Sequence, residues 1–329
     1  MRILVIGSNS FSGASLINYL LNKKHKIIGF SRRKEINKLF LPYKNNKNLK
    51  NFQFFQIDLN KNLTTALKVI KKFRPGVIVD FSAQGMVSES WNNPDHWYKT
   101  NLLSKVKLVE SLKRFKFVKK FINFSTPEIY GSSKRSFKEN QSINPSTPYA
   151  LSKAAFDLHL LNMFKNFKFP AIITRAANVH GKHQQLYRII PRTIMYIKLN
   201  KKLPLEGGGK SFRSFIHIDD VSRALYKIIL KGKSGEIFHI STKKMTSIRN
   251  IVKIICKIMN VNYKKFVKEI KKDRIGKDKN YQISSYKLRK NFHWNEKISL
   301  DQGIEATIHW IEKNFNKLKK QSLNYKHIV

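Results

Sequence analysis

Short, uninterrupted apolar runs alternate with segments of helical spacing through the first half of the chain. The runs are rich in β-branched and aromatic residues, which is typical of strands that are buried on both faces. Between them, apolar residues recur at the three- and four-residue spacing of amphipathic helices. This alternation predicts an α/β protein with a doubly wound parallel sheet. The predicted strands span residues 2–6, 26–30, 53–57, 77–81, 120–125 and 171–174, and the predicted helices span residues 14–22, 63–73, 96–114 and 148–167.

The regular alternation ends after about residue 176, which predicts a second, smaller lobe. Three consecutive glycines, Gly207 to Gly209, form a turn in this part of the chain. We expect a sheet domain of residues 1–175 plus about 214–240, a discontinuous lobe of residues 176–213 and 241–318, and a frayed basic tail of residues 319–329. The later predicted elements are helices at 186–200, 219–230, 247–259 and 300–317 and a strand at 236–240.

The net charge of +45 reflects 51 lysines and 14 arginines that are spread over every segment. Nucleic-acid-binding proteins concentrate such residues on one face or stripe, so we do not expect a nucleic-acid partner. A basic nucleic-acid-binding protein on the same scaffold remains the alternative of a different class. A positive field would also attract small anionic ligands.

Cys256 is the single cysteine, so the chain has no internal disulfide and no cysteine metal cluster, and we expect no metal site. No run approaches the roughly 18 consecutive apolar residues that span a bilayer. The first strand begins at Arg2, without the pattern of a signal peptide. We therefore expect a cytoplasmic protein with no membrane segment.

The first strand ends in a glycine-bearing turn, Gly7-Ser-Asn-Ser-Phe-Ser-Gly13, and a helix follows. Gly7 permits the tight turn, and Gly13 permits close packing of the helix on the strand. The helix N-terminus offers N–H groups and a positive dipole end to a pyrophosphate, as in Rossmann-type dinucleotide-binding domains. Ser10 occupies the position of a middle glycine. The residues predicted to bind the dinucleotide here are Gly7, Asn9, Ser10, Phe11, Ser12 and Gly13.

Residues after the second and third strands would contact the adenosine half of that dinucleotide. An NAD enzyme usually has an acidic residue after the second strand. This chain has Ser31-Arg32-Arg33, and Arg32 suits a 2′-phosphate, which favours NADP over NAD. Asp58, with Leu59 beside it, follows the third strand and could accept a hydrogen bond from the adenine amino group. The alternative interpretation of Arg32 and Arg33 is that they are two further surface cations, and that of Asp58 is a helix cap.

Tyr149 and Lys153 lie one helical turn apart at the start of a predicted helix. An ammonium group beside a phenol lowers the phenol pKa, so Tyr149 could accept a proton from a hydroxyl group. The preceding strand ends in Ser125-Thr126-Pro127-Glu128. Side chains at the carboxyl end of a parallel strand face the ligand crevice, so Thr126 is a candidate third catalytic group.

With these motifs, the chain resembles the extended short-chain dehydrogenase/reductases of the NAD-dependent epimerase/dehydratase family. Within that family it is most similar to the nucleotide-sugar 4,6-dehydratases, of which dTDP-glucose 4,6-dehydratase is the best-known type. The resemblance runs from Ile3 to about Trp310. It includes Phe81-Ser-Ala83-Gln84, Thr100-Asn101, Arg175-Ala-Ala-Asn178-Val-His-Gly181, Arg188-Ile-Ile-Pro191, Gly208 to Val221 and Asp273 to Asp278.

The resemblance implies roles for residues at matching positions. Thr126 and Tyr149 would hold the sugar C4 oxygen, Lys153 would also hold the nicotinamide ribose, and Ala83 would contact the dinucleotide. The dinucleotide would be tightly bound and regenerated in each turnover. A homodimer formed through helices 96–114 and 148–167 is implied as well. The implied nucleotide-sugar ligands are Gln84, Asn178, Arg188, Arg213 and Arg274.

Glu128 indicates which reaction of the family to expect. Oxidation at C4 makes the neighbouring C5 proton acidic, and a carboxylate there can remove it while water leaves from C6; hydride then returns to C6 and gives a 4-keto-6-deoxy sugar. We therefore predict an NDP-hexose 4,6-dehydratase, of the dTDP-glucose type first and the GDP-mannose type second. The resemblance leaves UDP-glucuronate decarboxylase and NDP-sugar 4-epimerase open. The dTDP-glucose enzymes typically carry an aspartate, the general acid for the departing water, where this chain has Pro127.

Overall fold

The computed structural model describes residues 1–133, 135–272 and 280–328, and the predicted apolar runs form its strands. The strands are β1 (Arg2–Ile6), β2 (Lys26–Ser31), β3 (Phe52–Gln56), β4 (Val77–Asp80), β5 (Lys120–Ser125), β6 (Ser136–Phe137), β7 (Ala171–Ala176), β8 (Asn178–His180), β9 (Leu203–Glu206), β10 (Phe212–Arg213), β11 (Phe215–His217), β12 (Ile237–Ile240), β13 (Thr246–Ser247), β14 (Val267–Ile270) and β15 (Gln282–Ile283). The α-helices are α1 (Phe11–Asn22), α2 (Leu63–Phe73), α3 (Pro94–Tyr98), α4 (Ser104–Leu112), α5 (Pro148–Phe167), α6 (Ile189–Lys198), α7 (Ile218–Lys231), α8 (Ile248–Ile258), α9 (Tyr263–Phe266), α10 (Tyr286–Phe292), α11 (Leu300–Lys313) and α12 (Phe315–Leu318).

Seven strands pair in the order β12-β7-β5-β4-β1-β2-β3, and all six pairings are parallel. This order extends the Rossmann order 3-2-1-4-5-6, so the predicted fold class is confirmed. The strand order reverses between β1 and β4, and ligands of such sheets bind outside the carboxyl ends of the strands at this point.

Helices cover both faces of the sheet, as the uninterrupted apolar strands require. One buried cluster joins the sheet to α1 and α7 through residues such as Leu16, Leu20 and Leu225. The opposite cluster joins the sheet to α2, α4 and α5 through residues such as Ile70 and Leu108. Burial of these side chains stabilises each helix contact by about 1.5–3 kcal/mol per large aliphatic residue.

A separate apolar cluster joins α6, α8 and α11 with the parallel pair β9–β14. These elements fall within the sequence-predicted lobe of residues 176–213 and 241–318. Between the sheet and this lobe, β8 pairs with β11, with His180 opposite His217. No helix in the described part of the chain has both the length and the apolar character needed to cross a membrane.

Residues 96–114 were expected to form one helix, but the chain forms α3, a π-helical stretch (Lys99–Leu103) and α4. Asn101 is fully buried in the wide π turn. Its side chain accepts a hydrogen bond from Gln84 N at 2.8 Å and donates to Gln84 O at 3.1 Å and Ser152 Oγ at 3.0 Å. Such wide turns are frequent at functional sites, and this one ties the loop after β4 to α5.

The expectation of a frayed C-terminal tail is wrong for residues 321–328, because these residues pack along the sheet's ligand cleft. The carbonyl oxygen of Ile328 accepts hydrogen bonds from Arg32 Nη2 at 2.8 Å and from Gln84 Nε2 at 2.7 Å. The His327 ring stacks on Trp97, with centroids 5.0 Å apart. Aromatic stacking and a charge-assisted hydrogen bond, which composition does not reveal, hold the segment in place.

Candidate active site

One cleft of about 990 Å³ opens at the carboxyl ends of the parallel strands. This volume is at the upper end of ligand pockets. Of the sequence-predicted site residues that the structure describes, all except Gly13 line it. They are Gly7, Asn9, Ser10, Phe11, Ser12, Arg32, Asp58, Leu59, Ala83, Gln84, Thr126, Glu128, Tyr149, Lys153, Asn178, Arg188 and Arg213. Arg274, also predicted to contact substrate, lies outside the described residues.

The glycine-bearing turn has the backbone geometry that its sequence requires. Gly7 has φ +79°, a conformation in which a side chain is strained. A Cβ on Gly13 would lie 2.4 Å from the Gly7 carbonyl oxygen, so α1 approaches β1 too closely for any other residue. Ser10 has an ordinary φ of −72° and caps α1 by accepting from Gly13 N, which explains why serine is accommodated there.

The start of α1 therefore fits a pyrophosphate. The N–H groups of Phe11 and Ser12, at the first two helical positions, have no acceptor within their own helix. Both residues line the cleft. Backbone donors at the positive end of a helix dipole form an anion site.

The loops after β2 and β3 line the same end of the cleft. Asn9 N donates to Ser31 Oγ at 3.0 Å, which ties the glycine turn to the end of β2. Arg32 Nη2 donates to Ile328 O, whereas its Nη1 is buried without a hydrogen-bond partner among the described residues. Burial and the neighbouring Arg33 lower the pKa of Arg32. Asp58 Oδ1 accepts a hydrogen bond from Asn60 N at 2.9 Å within a local turn, and it does not cap α2, whose N-cap residue is Asn62.

The predicted catalytic pair, Tyr149 and Lys153, lies in the first turns of α5. Thr147 caps this helix by accepting a hydrogen bond from Ala150 N at 3.1 Å. Tyr149 forms a side-chain hydrogen bond with Thr126, which follows β5. Lys153 Nζ donates to the carbonyl oxygen of Phe124 at 2.8 Å. The geometry therefore joins helix α5 to the end of β5 at the residues that the motif selected.

A buried polar network fixes α5 against the sheet. Asp157, one turn after Lys153, accepts hydrogen bonds from Asn123 Nδ2 at 2.9 Å and Ser125 Oγ at 2.8 Å. It also pairs with Arg175 on β7 at 3.1 Å. These hydrogen bonds tie α5 to β5 and β7 and so fix the position of the helix that carries Tyr149.

The pKa of Tyr149 differs from the expectation that Lys153 lowers it. Burial raises the pKa of this phenol, and the nearby Glu128 raises it further, while the Thr126 hydrogen bond and Arg188 lower it. Burial and the neighbouring Lys105 lower the pKa of Lys153 to about 7. The desolvation of both groups outweighs the charge interaction that the motif suggested.

Glu128 lies in the short turn Pro127–Tyr130 after β5, close enough to Tyr149 to raise the pKa of that phenol. The Tyr281 hydroxyl lies within hydrogen-bond distance of two acceptors, Glu128 Oε1 at 3.3 Å and Asn178 Oδ1 at 3.0 Å. The guanidinium carbon of Arg213 lies 4.2 Å from the centroid of the Tyr281 ring. These residues come from four separate segments and meet on one side of the cleft.

Sequence reasoning did not select Tyr281 as a site residue. It is separated from Glu128 by 153 positions and follows a segment without strong periodicity. The one available signal was its position just after the motif that begins at Asp273. Asn101 belongs to the Thr100-Asn101 motif, for which no role was predicted, and its side chain holds the loop at Gln84 through two hydrogen bonds.

The chain matches the family model described as GDP-mannose 4,6 dehydratase over residues 4–307. Its relatives include the dTDP-D-glucose 4,6-dehydratase of Dictyostelium discoideum, which is 31% identical over 96% of this chain and 82% of the relative. The dTDP-glucose 4,6-dehydratase of Haemophilus influenzae is 27% identical over 94% of this chain and 97% of the relative.

Among solved structures, dTDP-glucose 4,6-dehydratase from Bacillus anthracis str. Ames, in complex with NAD, has a TM-score of 0.85 at 30% identity, over 96% of this chain and 98% of that one. UDP-glucuronic acid 4-epimerase from Bacillus cereus has a TM-score of 0.85 at 26% identity, over 95% and 99%. The chain belongs to the GDP-mannose 4,6-dehydratase family, within the extended short-chain dehydrogenase/reductases.

Proposed function

We propose that this protein is a nucleotide-hexose 4,6-dehydratase that forms a 4-keto-6-deoxy sugar. The observation that carries the proposal is a carboxylate, Glu128, in the same cleft as Tyr149 and close enough to perturb its pKa. Tyr149, beside the Thr126 hydroxyl, can take the proton of the sugar C4 hydroxyl during oxidation at C4. The Glu128 carboxylate near Tyr149 can remove the C5 proton. Neither group alone distinguishes a dehydratase from the other members of the family.

The cofactor that we propose is a nicotinamide dinucleotide. The positive φ of Gly7, the close packing at Gly13 and the free start of α1 form a cradle for its pyrophosphate. When bound, the nicotinamide supplies the acceptor and donor of hydride and, in its oxidised form, a positive ring charge. The relative from Bacillus anthracis contains NAD. The buried Arg32 Nη1 favours a 2′-phosphate in this chain, so we propose a preference for NADP.

Titration of purified protein with NADPH and NADH tests this preference. Arg32→Ala should weaken NADPH binding more than NADH binding, because only NADPH carries the phosphate that the guanidinium would bind. Equal losses for the two dinucleotides would remove the argument for NADP.

The chain's own residues have separate tasks in the proposed reaction. Tyr149 would accept the proton of the C4 hydroxyl as a phenolate, the form that the positive charge of a bound, oxidised nicotinamide would favour, and Thr126, hydrogen-bonded to Tyr149, orients that hydroxyl. Lys153, held by the Phe124 carbonyl, lies one turn from the phenol. Glu128 then removes the C5 proton, which the C4 ketone has made acidic. Each step uses a group that lines the cleft.

Two arginines at the lobe side of the cleft would hold the diphosphate of the substrate. Arg188 precedes α6 and Arg213 lies on β10, and both line the cleft. Arg binds phosphate oxygens in a fixed bidentate geometry. The relatives named above favour dTDP-glucose as the first candidate substrate, with GDP-mannose second.

Incubation with dTDP-glucose, GDP-mannose, UDP-glucose and UDP-glucuronate, followed by mass spectrometry, tests the proposal. A dehydratase yields a product lighter by one water that absorbs in the ultraviolet in base. Glu128→Gln should stop water loss but permit slow C4 oxidation, seen as accumulating reduced dinucleotide. Full dehydration by Glu128→Gln would contradict the assignment, and Tyr149→Phe should abolish both steps while it retains dinucleotide binding.

A 4-epimerase is the second candidate, favoured by the likeness to the Bacillus cereus epimerase. Epimerisation returns hydride to C4 and needs no base at C5. Its product keeps the substrate mass, and a decarboxylase product is lighter by carbon dioxide. The same mass spectra therefore separate all three reactions.

We also propose that the protein is a homodimer. Leu151 and Leu158 lie two turns apart on α5 with 47% and 50% exposure, and Leu103 lies on the neighbouring π-helical stretch with 54% exposure. Such apolar surface on adjacent helices is typical of an interface. Light scattering should show that Leu158→Asp yields monomers, whereas Leu230→Asp, equally exposed on α7 across the sheet, stays dimeric. A wild-type monomer would contradict the proposal.

A further inference from the structure

Loss of water from C6 requires a proton for the departing hydroxide, a need that follows from the proposed function. The residue next to the base Glu128 is Pro127, which is buried and has no ionisable group. Pro127 cannot supply this proton, whereas a hydroxyl group in the same part of the cleft could.

Tyr281 reaches this part of the cleft. It is 4% exposed, lines the cleft, and places its hydroxyl between Glu128 Oε1 at 3.3 Å and Asn178 Oδ1 at 3.0 Å. A phenol has a single hydroxyl proton, so it cannot donate to both acceptors at once. The Arg213 guanidinium, 4.2 Å from the ring centroid, favours the negative phenolate that remains when the proton leaves.

The other hydroxyl groups near Glu128 do not contact its carboxylate in the described hydrogen bonds. Thr126 and Tyr149 are hydrogen-bonded to each other, at the side of the cleft assigned to C4. Ser125 donates to the buried Asp157 at 2.8 Å. Tyr281 differs from these because its hydroxyl contacts the proposed C5 base directly.

We propose that Tyr281 is the general acid that protonates the leaving C6 oxygen. Glu128 takes the C5 proton, the C5–H electron pair becomes the C5–C6 double bond, and the C6–O bond breaks with its electrons on oxygen. That oxygen receives the Tyr281 proton and leaves as water. The Tyr281 phenolate then takes the proton from the Glu128 carboxylic acid across their hydrogen bond. Both groups return to their starting states, and no external proton is consumed.

The test compares Tyr281→Phe with wild type on the accepted nucleotide hexose and on its 6-deoxy-6-fluoro analogue, because fluoride leaves without needing full protonation. General acids contribute about 10²–10⁴-fold, so we expect Tyr281→Phe to lose at least about 100-fold in dehydration of the hexose. Elimination from the fluoro analogue should stay within about tenfold of wild type, and reduced dinucleotide should accumulate with the hexose. Tyr286→Phe, an exposed tyrosine five residues away, is the matched control and should behave as wild type.

Each outcome decides a separate point. Wild-type dehydration by Tyr281→Phe, or an equal loss on both substrates, would overturn the general-acid role, because a residue that only shapes the site would not respond to the leaving group. Glu128→Gln should fail on both substrates, since the C5 proton must leave in either case. Absence of dehydration by wild type on every nucleotide hexose would instead refute the proposed function itself.

Discussion

Gly13→Ala tests whether the dinucleotide cradle depends on the close approach of α1 to β1. The new Cβ would lie 2.4 Å from the Gly7 carbonyl oxygen, whereas ordinary contacts begin at 3.4 Å. The helix start must therefore move by about 1 Å. Gly13 itself does not line the cleft, so any effect on binding must come from this displacement.

Two opposing terms set the expected change in stability. Overpacking costs about 1–3 kcal/mol, whereas replacing a helical glycine with alanine gains about 0.5–1 kcal/mol. The free energy of unfolding should therefore fall by no more than about 2.5 kcal/mol. Binding should be affected more clearly, because misplaced N–H groups lose hydrogen bonds to a charged phosphate at about 1.5–3 kcal/mol each. We expect dinucleotide affinity to fall about 10- to 100-fold.

Fluorescence titration with NADH and NADPH measures the affinity, and thermal unfolding measures the stability. Gly85→Ala is the control, because Gly85 also lines the cleft but a Cβ there would meet no atom within 4 Å. Wild-type affinity in Gly13→Ala would refute the argument that this glycine positions the pyrophosphate site.

Three further predictions follow from buried charges and the C-terminal segment. The pKa of Lys153 is lowered from 10.5 to about 7, so the unfolded chain binds more protons than the folded chain between these pH values. The free energy of unfolding should therefore rise with pH in this window, and Lys153→Met should lack that rise. Parallel plots of unfolding free energy against pH for the variant and wild type would contradict this prediction. Asp157→Ala leaves Arg175 buried without its carboxylate and should lower the free energy of unfolding by about 3–5 kcal/mol in urea, and a loss below about 1 kcal/mol would count against the network. Removal of residues 321–329 frees the Arg32 and Gln84 side chains from Ile328, so dinucleotide binding should tighten at least about threefold; weaker binding would show that the segment supports the ligand instead.

Local sequence patterns were sufficient for the elements of the sheet domain. The predicted bounds of α2 and α5 coincide with Leu63–Phe73 and Pro148–Phe167, and every predicted strand is present. Apolar periodicity records which face of each element is buried, and this information is local. The glycine turn could also be predicted from the sequence, because the positive φ of Gly7 and the close packing at Gly13 arise within a single strand–turn–helix unit.

Features that depend on distant parts of the chain were decided by the tertiary structure. Asn101 in the π turn accepts a hydrogen bond from the backbone of Gln84 in another loop. Arg32 donates a hydrogen bond to Ile328 in the C-terminal segment, 296 positions away. The motif alone suggested a lowered Tyr149 pKa, but burial by the assembled lobes raises it.

Tyr281 shows the same limit within the site. Its hydroxyl reaches Glu128 only because the fold brings together two residues that are 153 positions apart in the chain. The amino-acid sequence by itself therefore determined the fold class and many of the residues that line the cleft. Three-dimensional packing decided which charges are desolvated and which hydroxyl contacts the proposed base, because desolvation and hydrogen bonding depend on every segment that surrounds a group.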